Sequence, residues 1–137
     1  EHRGAIPDDL RVGIGDKVFG CDDCLAACPW NDKAVAGRNA RLTQERPGAA
    51  RPDLLELLGV CATDEAFRAY FRGTPLLRPK REGMRRNVCI ALGNVGTKDA
   101  IPALETVAAT DESGVVRDAA TWAIKTIRGS NDPRIGS

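Results

Sequence analysis

Three cysteines crowd into eight positions of this chain, in the run Cys21-Asp22-Asp23-Cys24-Leu25-Ala26-Ala27-Cys28, and Pro29 follows the last. Thiolates at such spacing suit a metal or an iron–sulfur cluster. The bacterial iron–sulfur pattern reads C-x2-C-x2-C-x3-C-P, and its cysteine before proline ligates the other of two clusters. Laid on from the Cys-Pro end, the last three cysteine places fall on Cys21, Cys24 and Cys28, and the first on Val18, which cannot bind iron. In that register Cys21 and Cys24 serve one cluster and Cys28 a second. Two 4Fe–4S clusters need about eight thiolates, whereas the chain has five cysteines. The remaining ligands are expected on another stretch of polypeptide.

Two other chemistries compete for the same residues. A redox dithiol needs a lowered thiol pKa, but Asp22 and Asp23 stand between the cysteines, and negative neighbours disfavour the thiolate. A structural zinc site takes four protein ligands, yet the one histidine is His2, and neither Cys61 nor Cys89 has a second ligand nearby in sequence. The cluster reading accounts for both the spacing and Pro29; zinc comes second. Cys61 and Cys89 sit among Leu58, Val60, Val88 and Ile90, and are expected to be buried small hydrophobes without chemistry. Trp30 is expected to shield a cluster or pack between domains, and Asn31 to cap a helix beginning at Asp32.

These residues need a framework, and the rest of the chain describes one. The 137 residues carry 42% hydrophobic and 4% aromatic side chains, so a core of Ala, Leu, Val and Ile is expected, as in packed helical arrays. No apolar run approaches the roughly 20 residues of a membrane span. Clustered free thiols point to a reducing compartment, hence a cytoplasmic protein, expected to be monomeric. The chain starts at Glu1 and its one methionine is Met84; it reads as the C-terminal part of a longer protein.

Two regions differ in kind, with a boundary expected at 46/47. Residues 1–46, rich in Gly, Pro and Asp, read as the C-terminal part of a di-cluster 4Fe–4S, ferredoxin-like domain; residues 47–137 read as a HEAT-like α-solenoid. The expected class is mainly α. A short helix begins at Pro52-Asp53 and stops at Gly59. Another opens at Thr63-Asp64-Glu65, with Phe67, Tyr70 and Phe71 at core spacing. Gly73 to Pro79 breaks it. Beyond lies a repeat shifted by 32 residues: Arg85 meets Arg117, Val88 meets Ala120, Ala91 meets Ala123, Leu92 meets Ile124 and Val95 meets Ile127. Between them Asp99 to Leu104 reads as a second helix with Pro102 in its first turn, where a lost N–H costs little. Helix, turn, helix, then repetition is the pattern of a solenoid.

Charge is uneven along the chain. The net charge is +1, but Arg68, Arg72, Arg78, Lys80, Arg81, Arg85 and Arg86 fall within 19 residues against one acid, Glu82. Such a run is either a solvated helix face or a grip for several phosphates of a nucleic acid. No nucleophile–base pair, carboxylate pair or phosphate-cradling glycine loop occurs, so no catalytic residue is expected in this chain.

Taken together, the runs Gly4–Arg11, Gly15–Cys24, Cys28–Asn31, Phe71–Leu76, Gly83–Asn87 and Ala91–Asn94 resemble the epoxyqueuosine reductase family over nearly the whole chain. That resemblance implies reduction of the epoxide of epoxyqueuosine at the wobble position of tRNA, giving queuosine, with a cobalamin and two 4Fe–4S clusters. It implies that Cys21 and Cys24 share one cluster with cysteines upstream and that Cys28 completes the other. It also implies a HEAT-like region gripping the tRNA anticodon arm, for which Arg72, Arg78, Lys80, Arg81, Arg85 and Arg86 are the expected contacts. The cobalamin domain and the catalytic acid would lie upstream, so this chain alone is expected to be inactive; the electron donor is not indicated. The rival reading is a ferredoxin-like electron carrier joined to a HEAT protein-binding scaffold, and a third is a non-enzymatic interaction module.

Overall fold

The computed structural model describes residues 2–20, 23–33, 35 and 53–130. Among them are seven α-helices and no strand: α1 (Asp8–Ile14), α2 (Asp23–Ala26), α3 (Leu54–Val60), α4 (Asp64–Tyr70), α5 (Lys80–Val95), α6 (Ile101–Thr110) and α7 (Gly114–Ser130). Single 3-10 turns occupy Asn31–Lys33, Pro75–Leu77 and Lys98–Ala100. The mainly α class and the helical repeat are as expected.

Local chemistry sets the helix ends. The Asp53 carboxylate accepts from the Leu55 N–H at 2.9 Å and the Thr63 hydroxyl from Ala66 N–H at 3.2 Å, each satisfying an orphan amide of a first turn. Gly59 does not stop α3, which runs on to Val60 with Cys61 as its cap. Gly96, at φ 76°, ends α5 by returning its N–H to the Leu92 carbonyl, a left-handed cap that glycine makes without strain. Pro102 stands in the first turn of α6.

The core is centred on α5. Met84, Val88, Cys89, Ile90, Ala91 and Leu92 are all buried; α7 packs against α5, α6 against α7, and α3 also contacts α5. Gly93 permits a close approach of α5 to α7. A Cβ there would stand 2.8 Å from Cζ3 of Trp122 and 2.9 Å from the Cα of Ala123. Phe67 and Phe71, one turn apart, share the buried face of α4 with ring centroids at 5.1 Å. Tyr70 departs from expectation. It falls at the margin of that face, is 43% exposed, and rests its ring edge-on against Phe71.

The described parts of 1–19 and 53–137 form one compact unit, and those of 20–52 another. The structure therefore groups residues up to Phe19 with the helices, whereas the sequence reading placed everything to residue 46 with the cysteines. The reason is that this segment bonds to α5 and α7 through polar side chains that leave no hydrophobic periodicity. Within the second unit, Asn31 begins a 3-10 turn instead of capping a helix at Asp32.

The α5–α7 approach generates a test. Gly93→Ala gains helix propensity of about 1 kcal/mol but drives a methyl into the Ala123 backbone. Urea unfolding should show a net loss of about 1–3 kcal/mol; unchanged stability would mean that the two helices can separate freely.

Candidate metal-ligating segment and nucleic-acid interface

The cysteine run lies on short elements. Cys24 is on α2 and exposed, and Cys28 follows that helix and is half-buried; both are free thiols. Cys21 lies outside the described residues. Asp23 occupies the first turn of α2 and has an interaction partner. Among the described residues no three His, Cys, Asp or Glu side chains converge as a metal site. Two accessible thiols four residues apart fit part of a soft-metal donor set; the described residues do not supply the rest. Trp30 is 82% exposed.

The other two described cysteines are buried as expected, and burial governs their protons. It pushes the Cys61 thiol up to about 11, with Arg85 and Arg81 pulling weakly the other way. Burial likewise pushes Cys89 up to about 12. Both remain neutral thiols, poor as nucleophiles and as ligands.

The six expected cationic contacts divide into two groups. Arg72, Arg78 and Lys80 are exposed, as is Arg68; none of the four has an ion-pair partner among the described residues. They span the end of α4, the loop carrying the Pro75–Leu77 turn, and the start of α5. Lys80 itself takes a φ of 60°, a region that favours glycine.

Arg81, Arg85 and Arg86 are spent inside the protein. Asp111, whose side chain is fully buried, accepts from Arg85 at 2.5 Å and from Arg81 at 3.4 Å, while its other oxygen accepts from the Ser113 N–H at 2.8 Å. Arg81 also lies 3.9 Å from Asp64. Arg86 is 4% exposed and donates to the carbonyls of His2 at 2.8 Å and Gly4 at 2.7 Å. Burial lowers its pKa, with Glu82 opposing that shift and Arg11 adding to it. A guanidinium so enclosed has no face left for a phosphate. Of the six residues expected to contact nucleic acid, three therefore face outward and three meet oxygens of this chain, and sequence spacing alone does not tell the two apart, since Asp111 lies 26 residues from Arg85 and 30 from Arg81.

A cleft of about 540 Å³ opens beside these arginines, lined by Thr63, Asp64, Arg81, Arg85, Asp111 and Glu112 among others. Its acids outnumber its bases, and the Nε of Arg85 is buried without a hydrogen-bond partner.

Sequence reasoning missed Arg11. It is 3% exposed on α1, donates to Asp118 of α7 at 2.5 Å and to the Ile6 carbonyl at 2.7 Å, and lies over the Trp122 ring at 5.5 Å. Asn87 and Asn94 were missed too, although polar residues inside the apolar run of α5 were the available signal.

With this geometry established, the class is a HEAT-type helical repeat: the family described as HEAT repeats matches residues 74–125. Similarity then extends beyond the repeat. The epoxyqueuosine reductase of Xanthomonas campestris is 41% identical over 90% of this chain and 34% of its own length, and that of Pseudomonas aeruginosa 39% over 91% and 34%. A crystal structure of epoxyqueuosine reductase with an epoxyqueuosine-modified tRNA stem loop superposes with a TM-score of 0.80 at 28% identity, covering 92% of this chain and 33% of that one. The enzyme from Streptococcus thermophilus gives 0.81 at 25% identity, covering 98% and 34%. The chain belongs to the epoxyqueuosine reductase family, matching the C-terminal part of those proteins. It spans about a third of the length of the relatives it matches.

Thiol chemistry separates the two kinds of cysteine. Iodoacetamide at pH 8 should modify Cys24 and Cys28 in the folded chain and spare Cys61 and Cys89 until urea is added. The raised pKa values also carry a linkage. In the unfolded chain these thiols ionise near 9.0, in the folded chain near 11 and 12, so the folded state holds more protons in between. Their contribution to stability is complete below pH 9 and is lost as pH rises through 11 to 12. A Cys61→Ser, Cys89→Ser variant, compared with the parent by urea unfolding at pH 8 and 10, should show a smaller loss at the higher pH.

Proposed function

We propose that this chain is the C-terminal portion of a cobalamin- and iron–sulfur-dependent reductase that converts epoxyqueuosine to queuosine in tRNA. Its identity of about two residues in five with named epoxyqueuosine reductases, sustained over nine-tenths of the chain, carries the reading. Cys21 and Cys24 would contribute to one 4Fe–4S cluster and Cys28 to a second, the other thiolates lying elsewhere. Cobalamin, held outside this chain, would supply the reducing metal centre for deoxygenation. This chain's own work is to hold thiolates and to present positive charge. Its setting is a soluble, cytoplasmic monomer; among the described residues no helix is long and apolar enough to cross a membrane.

Tracking tRNA phosphates falls to the outward cations Arg68, Arg72, Arg78 and Lys80. Charge without a base-reading side chain positions a nucleic acid and carries no sequence information. That the structural relative with a tRNA stem loop superposes on nearly the whole chain supports this assignment. The inward arginines Arg81, Arg85 and Arg86 hold the scaffold.

Two measurements test the reading. The isolated chain, purified without air, should hold no stoichiometric 4Fe–4S cluster, because its three suitable thiols divide between two sites; about four irons per chain would overturn the divided assignment. With the protein expressed from its complete reading frame, Arg72→Ala, Arg78→Ala and Lys80→Ala together should weaken tRNA binding in electrophoretic titrations. The salt dependence should flatten by about two to three units of log–log slope, while Arg85→Lys leaves it unchanged. An unaltered affinity and slope in the triple variant would favour a protein-binding scaffold.

A further inference from the structure

The run that exposes the cations Arg68, Arg72, Arg78 and Lys80 also exposes one aromatic ring, that of Tyr70, by 43%. Helix geometry sets where it stands. At about 100° per residue, Tyr70 falls on one flank of the buried Phe67–Phe71 line and Arg68 on the other, with the exposed Ala66 and Ala69 across the solvent side between them. These small side chains keep the surface low, so one strand crossing α4 can meet charge on one rim and the ring on the other. Arg72 comes directly after the Phe71 cap. The turn that carries it is closed by Thr74, whose N–H and hydroxyl both donate to the Phe71 carbonyl, at 3.1 and 2.8 Å. The ring itself is braced. Phe71, buried, meets it at 4.9 Å between centroids and 76° between planes, and Phe67 backs Phe71 at 5.1 Å. In that arrangement Phe71 covers at most one face of the tyrosine. Of the acids on this helix, Asp64 approaches Arg81 at 3.9 Å, which leaves Glu65 against four outward cations.

We propose that Tyr70 is a stacking platform for an unpaired base of a bound RNA whose neighbouring phosphates the outward cations hold. The proposal rests on the RNA reading above and adds to it a contact with a base. Charge alone holds a duplex and a loop alike. A flat exposed ring strengthens binding only where a base is unstacked and free to lie on it. Tyr70 therefore makes the surface selective for looped or single-stranded RNA without making it selective for sequence, since every base has a face to stack. Its ring is already braced by Phe71, so little freedom is lost when a base arrives. A protein partner would use an exposed tyrosine too, but the surplus of outward cations across the same short helix and loop matches a polyanion.

Three substitutions separate a stacking ring from a packing one. In protein expressed from its complete reading frame, Tyr70→Ala and Tyr70→Leu should each weaken binding of an RNA stem–loop about tenfold, the loss expected for one base stack. Tyr70→Phe, which keeps the ring, should bind as the parent does. Affinity for an RNA duplex without unpaired bases should not change in any of them. The salt slope should stay that of the parent, because no phosphate contact has been removed. A fluorescent adenine analogue that stacking quenches, placed at each loop position in turn, gives the direct signal. At one position it should dim on binding the parent or Tyr70→Phe, and stay bright with Tyr70→Ala or Tyr70→Leu. Tyr70→Leu keeps apolar bulk against Phe71, so it answers the question should Tyr70→Ala not fold. Parental stem–loop affinity in Tyr70→Leu overturns the proposal. So does an equal loss for stem–loop and duplex, which would mean that the tyrosine only holds the helix. If the triple cation variant flattens the salt slope while the Tyr70 variants match the parent, the phosphate reading stands and this one falls; a parent that binds no RNA overturns both.

Discussion

Backbone carbonyls that belong to no helix or sheet must still find donors when they are buried, and in this protein α5 provides them. The helix meets two demands at once. Its apolar positions fill the repeat core, with Val88, Ile90 and Ala91 fully enclosed, and its polar positions bond outward to the N-terminal segment. Neither role alone explains its sequence. A helix serving only a solenoid would keep one polar face to water, whereas Arg86 is as buried as the leucines around it. Its charge is tolerated because each of its hydrogen bonds ends on an oxygen, two backbone carbonyls and the Asn87 amide oxygen, and because Glu82 offsets the nearby Arg11. Removing any of them would strand a buried cation, which costs far more than the single bond gained by forming it.

A second polar node fixes the repeat itself. The arginines that match across the 32-residue shift, Arg85 and Arg117, converge on one residue. Arg85 donates to the Asp111 carboxylate at 2.5 Å and Arg117 to the Asp111 backbone carbonyl at 2.6 Å. Asp111 ends α6, bonds the Ser113 amide that precedes α7, and so ties the α6–α7 turn to α5. Repeat proteins gain stability from contacts between neighbouring units; here the repeated arginines add a polar contact to the apolar one. The repetition seen in the sequence was thus a repetition of a staple as much as of an apolar stripe.

The sequence made the helices of the repeat readable because their signals are local: the 3–4 spacing of apolar residues, Pro102 in a first turn, Gly96 after the last. It made the cysteine spacing readable for the same reason. What it hid were bonds between distant residues. Arg11 and Asp118 are separated by 107 positions, Arg86 and His2 by 84, Asn87 and Val18 by 69, and no periodicity announces such pairs. Tyr70 erred for a smaller reason: a seven-residue helix buries too narrow a stripe to cover three aromatics.

The basic run shows how the two kinds of information combine. Read as a line of charge, it offers six positive charges net to any polyanion. Folded, it separates by direction. Arginines on the body of α5 find Asp111 or backbone carbonyls, and cations on α4 and the loop before α5 find none. An arginine's planar fork suits the first task, since it can satisfy several oxygens from one buried position. The second task asks only for charge at the surface, and Lys80 does it as well as Arg78. The electrostatic surface that remains is smaller than the sequence suggested, and it adjoins a helix whose Arg81 and Arg85 are held by Asp111 and whose Arg86 is held by backbone carbonyls. The residues that hold the scaffold and those that face solvent are thus different residues of the same run.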